Sequence, residues 1–142
     1  MKRHSSLRSL SSEHHTGLVL ARRARKAAGQ DSSTQDATWK AIQHTFQNEL
    51  EPHFQREEQS LLPLLRSAGE VELVDRTLHE HRSMRLLIQE NNPGNLASFA
   101  EALAAHIRFE EKKLFETAQR VLGSKVLKDL ERNLISGDHA AK

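Results

Sequence analysis

Residues 39–65 read WKAIQHTFQNELEPHFQREEQSLLPLL. Trp39, Ile42, Phe46 and Leu50, then Leu61, Leu64 and Leu65, recur at three and four residues, the repeat of a helix that buries one face. Between them the same stripe carries His53 and Glu57, where the repeat expects Leu or Val. Residues four apart lie one above the other on a helix, so imidazole and carboxylate enter the apolar face together. A bare carboxylate in such a core costs on the order of several kcal/mol, and an unpaired imidazole somewhat less. Pro52 and Pro63 fall inside the stretch and should bend it, because each removes a backbone donor and crowds the preceding turn.

The pattern repeats on both sides. Leu7, Leu10, His14, Leu18, Ala21, Ala24 and Ala28 form an earlier stripe that starts near Ser9 or before, and Gly29-Gln30-Asp31-Ser32-Ser33 closes it and caps the next helix. After a break at Ser67-Ala68-Gly69 comes a third stripe of Val71, Val74, Leu78, His81, Met84 or Arg85, and Ile88. Asn91-Asn92-Pro93-Gly94-Asn95 is a turn. The fourth stripe is Leu96, Phe99, Leu103, His106, Glu110, Leu114 and Ala118, with a second glutamate four residues after its histidine. Beyond Gly123, Val126, Leu127, Leu130 and Leu134 suggest a short C-terminal fifth helix over residues 124–135. No strand-like alternation and no internal repeat appear. The expectation is an all-α fold, an antiparallel up-down-up-down four-helix bundle, forming one domain over residues 1–142 with its core in 7–122.

Composition narrows the chemistry. The 142 residues contain no cysteine, which removes disulfides, thiolate-bound zinc, iron–sulfur clusters and thiol nucleophiles, and no tyrosine. Lys and Arg number 21 against 19 acidic residues, a net charge of +2, too slight a field to argue for nucleic acid. Arg22, Arg23, Arg25 and Lys26 form a basic run, but no aromatic residue interleaves with it, so a solvated helix face is the better reading. The polar opening residues and the lack of a long apolar run argue against a leader or a membrane span, so the expected location is the cytoplasm.

Histidine stands out, with nine in the chain. A lone histidine on an apolar face is ordinarily a hydrogen-bonded core residue, and a His–Glu pair at four residues is ordinarily a surface pair. Here His14, His53, His81 and His106 lie one per major helix, with Glu57 and Glu110 on the same stripes. Six such groups at one level would exceed a domain stability of about 5–15 kcal/mol unless something satisfies them together. A cation does so, and imidazole nitrogen with carboxylate oxygen suits iron, manganese or zinc. His15 or His79 would replace its neighbour, His14 or His81, under a different helical phase. Glu111 is the corresponding alternative to Glu110. His44 reads as structural or solvated, His4 and His139 as inert tail residues, and Arg56, Glu58 and Arg108 as facing away from the ligands. Glu-x-x-His is absent, and His79-Glu80 fails as a metalloprotease motif because position 83 is serine.

Leu10-Ser11-Ser12-Glu13-His14-His15, His53-Phe54-Gln55-Arg56-Glu57-Glu58, Glu80-His81 and His106-Ile107-Arg108-Phe109-Glu110-Glu111 together resemble the hemerythrin, or HHE cation-binding, domain over roughly residues 7–122. The resemblance implies two non-haem iron ions inside a four-helix bundle, bridged by the two glutamates and capped by the histidines; zinc and manganese rank behind iron. The oxygen carriers of that family have a fifth histidine where this chain has Thr77, and place the last bridging carboxylate five residues after its histidine instead of four. The implied site is therefore more open, which favours redox chemistry with oxygen, peroxide or nitric oxide over reversible oxygen carriage. The alternative is an iron- or oxygen-responsive sensor or interaction module without turnover, working through a protein partner.

Overall fold

Five helices and no strand make up the described part of the chain; the computed structural model describes residues 2–140, with side chains as far as Leu134. Helix α1 spans Ser5–Ala28, α2 covers residues 32–67, and α3 spans Val71–Gln89. A 3-10 turn at Pro93–Asn95 leads into α4, which covers residues 96–121, and α5 spans Ser124–Ala140, longer than the sequence suggested. The ends follow from local chemistry. His4, expected to be an inert tail residue, caps α1 by accepting the Ser6 N–H at 3.0 Å, and Asp31 caps α2 by accepting the Thr34 N–H at 2.8 Å. Helix α2 stops at Gly69, whose φ of 94° is open to a residue without a side chain, while the Glu70 N–H closes back on the Leu65 carbonyl at 2.9 Å.

Neither proline breaks α2. The helix consists of α-helical segments Ser32–Thr45, Glu51–Arg56 and Leu62–Ser67, joined by π turns at Phe46–Leu50 and Glu57–Leu61, and Pro52 and Pro63 stand at the second position of the segments that follow those turns. Helix α4 has a third π turn at Glu110–Leu114, between Leu96–Phe109 and Phe115–Val121. The physical reason is phase. Four residues of α-helix turn through about 400°, so a strict four-residue repeat drifts by ~40° per step and leaves its face. Glu57, Leu61 and Leu65, like Glu110, Leu114 and Ala118, are buried at spacings of four, and the wider π turn absorbs that drift. Leu96, Phe99, Leu103 and His106, which mix threes and fours, need no such turn.

The apolar core is in two parts. One holds Leu20, Trp39, Ile42, Phe46, Phe99 and Leu103; the other holds Leu7, Leu10, Leu65, Val74, Phe115 and Leu130. His14, His53, Glu57, His81, His106 and Glu110 are buried in the layer between them. Along α1 and α3 the chain leaves the second part before entering the first; along α2 and α4 the order is reversed. Helix α5 lies against α1 and the second π turn of α2.

Some repeat members fall outside the core. Leu18, Val71 and Val126 are 37%, 43% and 36% exposed, and the buried face of α1 runs instead through Gly17 and Leu20. A Cβ on Gly17 would sit 2.7 Å from Ile107 Cδ1 and 3.8 Å from Leu50 Cδ2, so the missing side chain lets α1 approach α4. No helix among the described residues is long and apolar enough to cross a membrane. Overpacking costs about 1–3 kcal/mol, so Gly17→Leu should lower the unfolding free energy measured by chemical denaturation by that amount, with a lower midpoint, and Ile107→Ala added to it should recover part of the loss. An unchanged midpoint would show that α1 and α4 are not in close contact there.

Candidate metal centre

The six stripe residues converge. His14, His53, Glu57 and Glu110 form one group of potential ligands, and Glu57, His81, His106 and Glu110 form another; within each group the facing atoms all lie within 4.8 Å of one another. The two groups share both glutamates. Glu57 directs Oε2 to His53 Nε2 at 3.3 Å and Oε1 to His81 Nε2 at 3.1 Å. Glu110 directs Oε1 to His14 Nε2 at 2.7 Å and Oε2 to His106 Nε2 at 3.1 Å. Each carboxylate thus gives one oxygen to either side of the layer. Glu110 faces inward and Glu111 outward, and His15 and His79 are exposed. His44 is exposed beside Asn48, and Arg108 is exposed; the side chain of His139 lies outside the described residues.

Charge inside this layer is concentrated. Burial pulls the His81 imidazole down, but Glu110, Glu57 and Glu58 outweigh it and push it up to about 11. For His106, burial again works downward, and Glu110 with Glu80 raises it to about 9. Burial pushes the Glu110 carboxyl up, yet His106, His14 and His53 together hold it well below the usual carboxylate range. His14 and His53 are likewise raised, each by the carboxylates it faces against the opposing effect of burial.

Hydrogen bonding remains incomplete even so. His53 Nε2, His81 Nε2, His106 Nε2, both Glu57 oxygens and Glu110 Oε2 are buried without a hydrogen-bond partner. Each orphaned buried polar atom costs about 1–3 kcal/mol, so six of them together are of the order of a whole domain's stability. All six point at the same small space between the helices, and nitrogen and oxygen donors of this kind match iron, manganese or zinc. The residues present therefore fit a pair of bound cations.

Sequence reasoning missed what holds the imidazoles from outside. His53 Nδ1 donates to Glu13 at 2.9 Å, His81 Nδ1 to Glu58 at 2.7 Å, His106 Nδ1 to Glu80 at 2.7 Å, and His14 Nδ1 to Glu111 at 2.7 Å. Glu58 and Arg56 do not face away from the centre. A residue five positions after its histidine points outward from its own helix but toward the next one, and Glu58 reaches His81 in this way. Arg56 pairs with Glu13. Aromatic rings wall the layer: Phe54 stacks on His81 with centroids 3.9 Å apart, and Phe115 stacks on His14 at 5.3 Å. Thr77, one turn before His81, is fully buried and spends its hydroxyl on the Leu73 carbonyl at 2.8 Å. A cavity of about 10 Å³ adjoins His14, His53, His106 and Glu110, and Gly17, Leu50, Leu103 and Ile107 supply its apolar wall.

The family model described as "Hemerythrin HHE cation binding domain" matches residues 5–118. No curated protein and no solved structure gave a match.

Cation binding should be readable as stability. Manganous ion at a thousandfold excess over its dissociation constant should stabilise the protein by about 4 kcal/mol, and a chelator should reverse the gain. Glu57→Leu should abolish this increment while leaving the metal-free protein folded. Equal gains in parent and variant, read from thermal melts, would show that the cation binds elsewhere.

Proposed function

Because this chain belongs to the hemerythrin HHE cation-binding domain family, we propose that it carries a non-haem di-iron centre that binds or reacts with a small oxidant such as oxygen, peroxide or nitric oxide. His14, His53, Glu57 and Glu110 would hold one ion, and His81, His106 and the same two glutamates the other. One observation carries this reading: Glu57 and Glu110 belong to both groups, and each turns one oxygen to either side. The alternating order in which α1 to α4 pass the two core parts supports an antiparallel, up-down-up-down arrangement of the four helices around this centre.

A bound iron pair would supply two adjacent one-electron redox centres. The protein's own residues do the rest. Glu57 and Glu110 bring four negative oxygens into a dry layer and so favour cations of high charge. Leu50, Leu103 and Ile107 wall the small cavity beside the centre, which favours a small incoming ligand over a bulky one. Thr77 is engaged with its own helix and supplies no fifth imidazole, so the site keeps exchangeable positions. These features favour electron transfer to a small ligand over its reversible storage.

Protein loaded anaerobically with ferrous iron should contain two irons per chain, and His53→Ala or His106→Ala should lower that stoichiometry. The reduced, loaded protein should be oxidised by hydrogen peroxide within the mixing experiment, with the metal-free protein inert. Unchanged iron content in both alanine variants would overturn the site. A long-lived, fully reversible oxygen adduct would overturn the reactivity.

A further inference from the structure

The outer hydrogen bonds of the four histidines form a closed circuit. Glu13 on α1 accepts from His53 on α2, Glu58 on α2 from His81 on α3, Glu80 on α3 from His106 on α4, and Glu111 on α4 from His14 on α1. Each helix supports the imidazole of the next, and the last supports the first. We propose that Glu13, Glu58, Glu80 and Glu111 are positioning residues that hold all four imidazoles with Nε2 turned inward and keep the proton of the neutral ring on Nδ1; the inference rests on the metal reading above.

An ionised carboxylate can only accept, so a histidine bonded to it through Nδ1 must carry its proton there, and Nε2 is then the nitrogen whose lone pair is offered inward when the ring is neutral. A negative partner on the outer nitrogen also makes the inner one a stronger donor. Each glutamate is braced in turn by an arginine: Arg56 on Glu13, Arg85 on Glu58 at 2.9 Å, Arg76 on Glu80 at 2.9 Å, and Arg3 on Glu111 at 3.2 Å. Ser11 adds a hydrogen bond to Glu111 at 2.7 Å. Exposed ion pairs are common and worth little, but these carboxylates meet imidazoles that are at most 7% exposed. Nor is the pattern a by-product of one local motif. Glu13 and Glu80 precede their own helix's histidine by one residue, whereas Glu58 and Glu111 follow theirs by five, and both spacings arrive at the same contact.

The test uses cobaltous ion with the metal-free full chain and chelator competition. Glu58→Ala and Glu80→Ala should each weaken cobalt binding about 10- to 100-fold, with helical circular dichroism retained. Glu58→Gln, whose amide oxygen still accepts the Nδ1 proton, should recover part of the affinity but shift the visible cobalt spectrum, and Glu101→Ala on the exposed face of α4 should change neither. Should an alanine variant lose its helical signal, Glu58→Gln decides alone: a shifted cobalt spectrum at parental helicity supports the proposal, and an unchanged one overturns it. Alanine variants within threefold of the parent, alongside a His53→Ala variant that loses cobalt, would overturn the positioning role and leave the metal reading standing. If His53→Ala also binds as the parent does, the metal reading fails and this inference fails with it.

Discussion

Two carboxylates that water cannot reach govern this molecule. Glu57 and Glu110 are fully buried, and each must be met by positive charge from every direction. Four imidazoles face them from four separate helices, so no helix can be displaced without leaving a buried polar group without its neighbour. The apolar core is split in two because this layer crosses it. The requirement also dictates backbone geometry, since the π turns in α2 and α4 that begin at the two glutamates keep the helix beyond them in register with the second part of the core.

Most of the fold could be read from the chain. Five helical repeats and their glycine- and asparagine-rich breaks were legible because an apolar stripe with a period near 3.6 has few other interpretations. The inward residues were legible for the same reason: a histidine on a leucine stripe is conspicuous, and the match over residues 5–118 agrees with the family those residues resemble. Gly17 went unnoticed because a missing side chain leaves no mark on a hydrophobic repeat. Leu18 was misassigned in its place, since a strict four-residue step from His14 overshoots the face by about 40°. That same drift held an unused clue to the π turns, in the unbroken run of fours from His106 to Ala118.

The supporting glutamates were hidden for a different reason. Sequence periodicity reports which side of a helix faces its own core, and Glu58 lies off that side. Its partner is on another helix, and an interaction across helices has no fixed sequence interval. Two different intervals serve one purpose here, which defeats any search for a motif. Only the packing of neighbouring helices brings Glu58 to His81 and Glu111 to His14.

The circuit of outer hydrogen bonds has no first member. Each bond joins helices that are neighbours in space, and the bond between Glu111 and His14 spans 97 residues as easily as the others span one loop. The two ends of the α1–α4 run are already close, with the backbone N–H of His4 on the side chain of Gln119 at 2.7 Å. A circularly permuted chain that keeps α5 and is opened at the turn around Gly69 or at Pro93–Asn95 would retain all four pairs of helices that make these contacts. The order in which the helices are synthesised is thus separable from the architecture of the centre: the ring depends on which helices touch, and the chain may enter it anywhere.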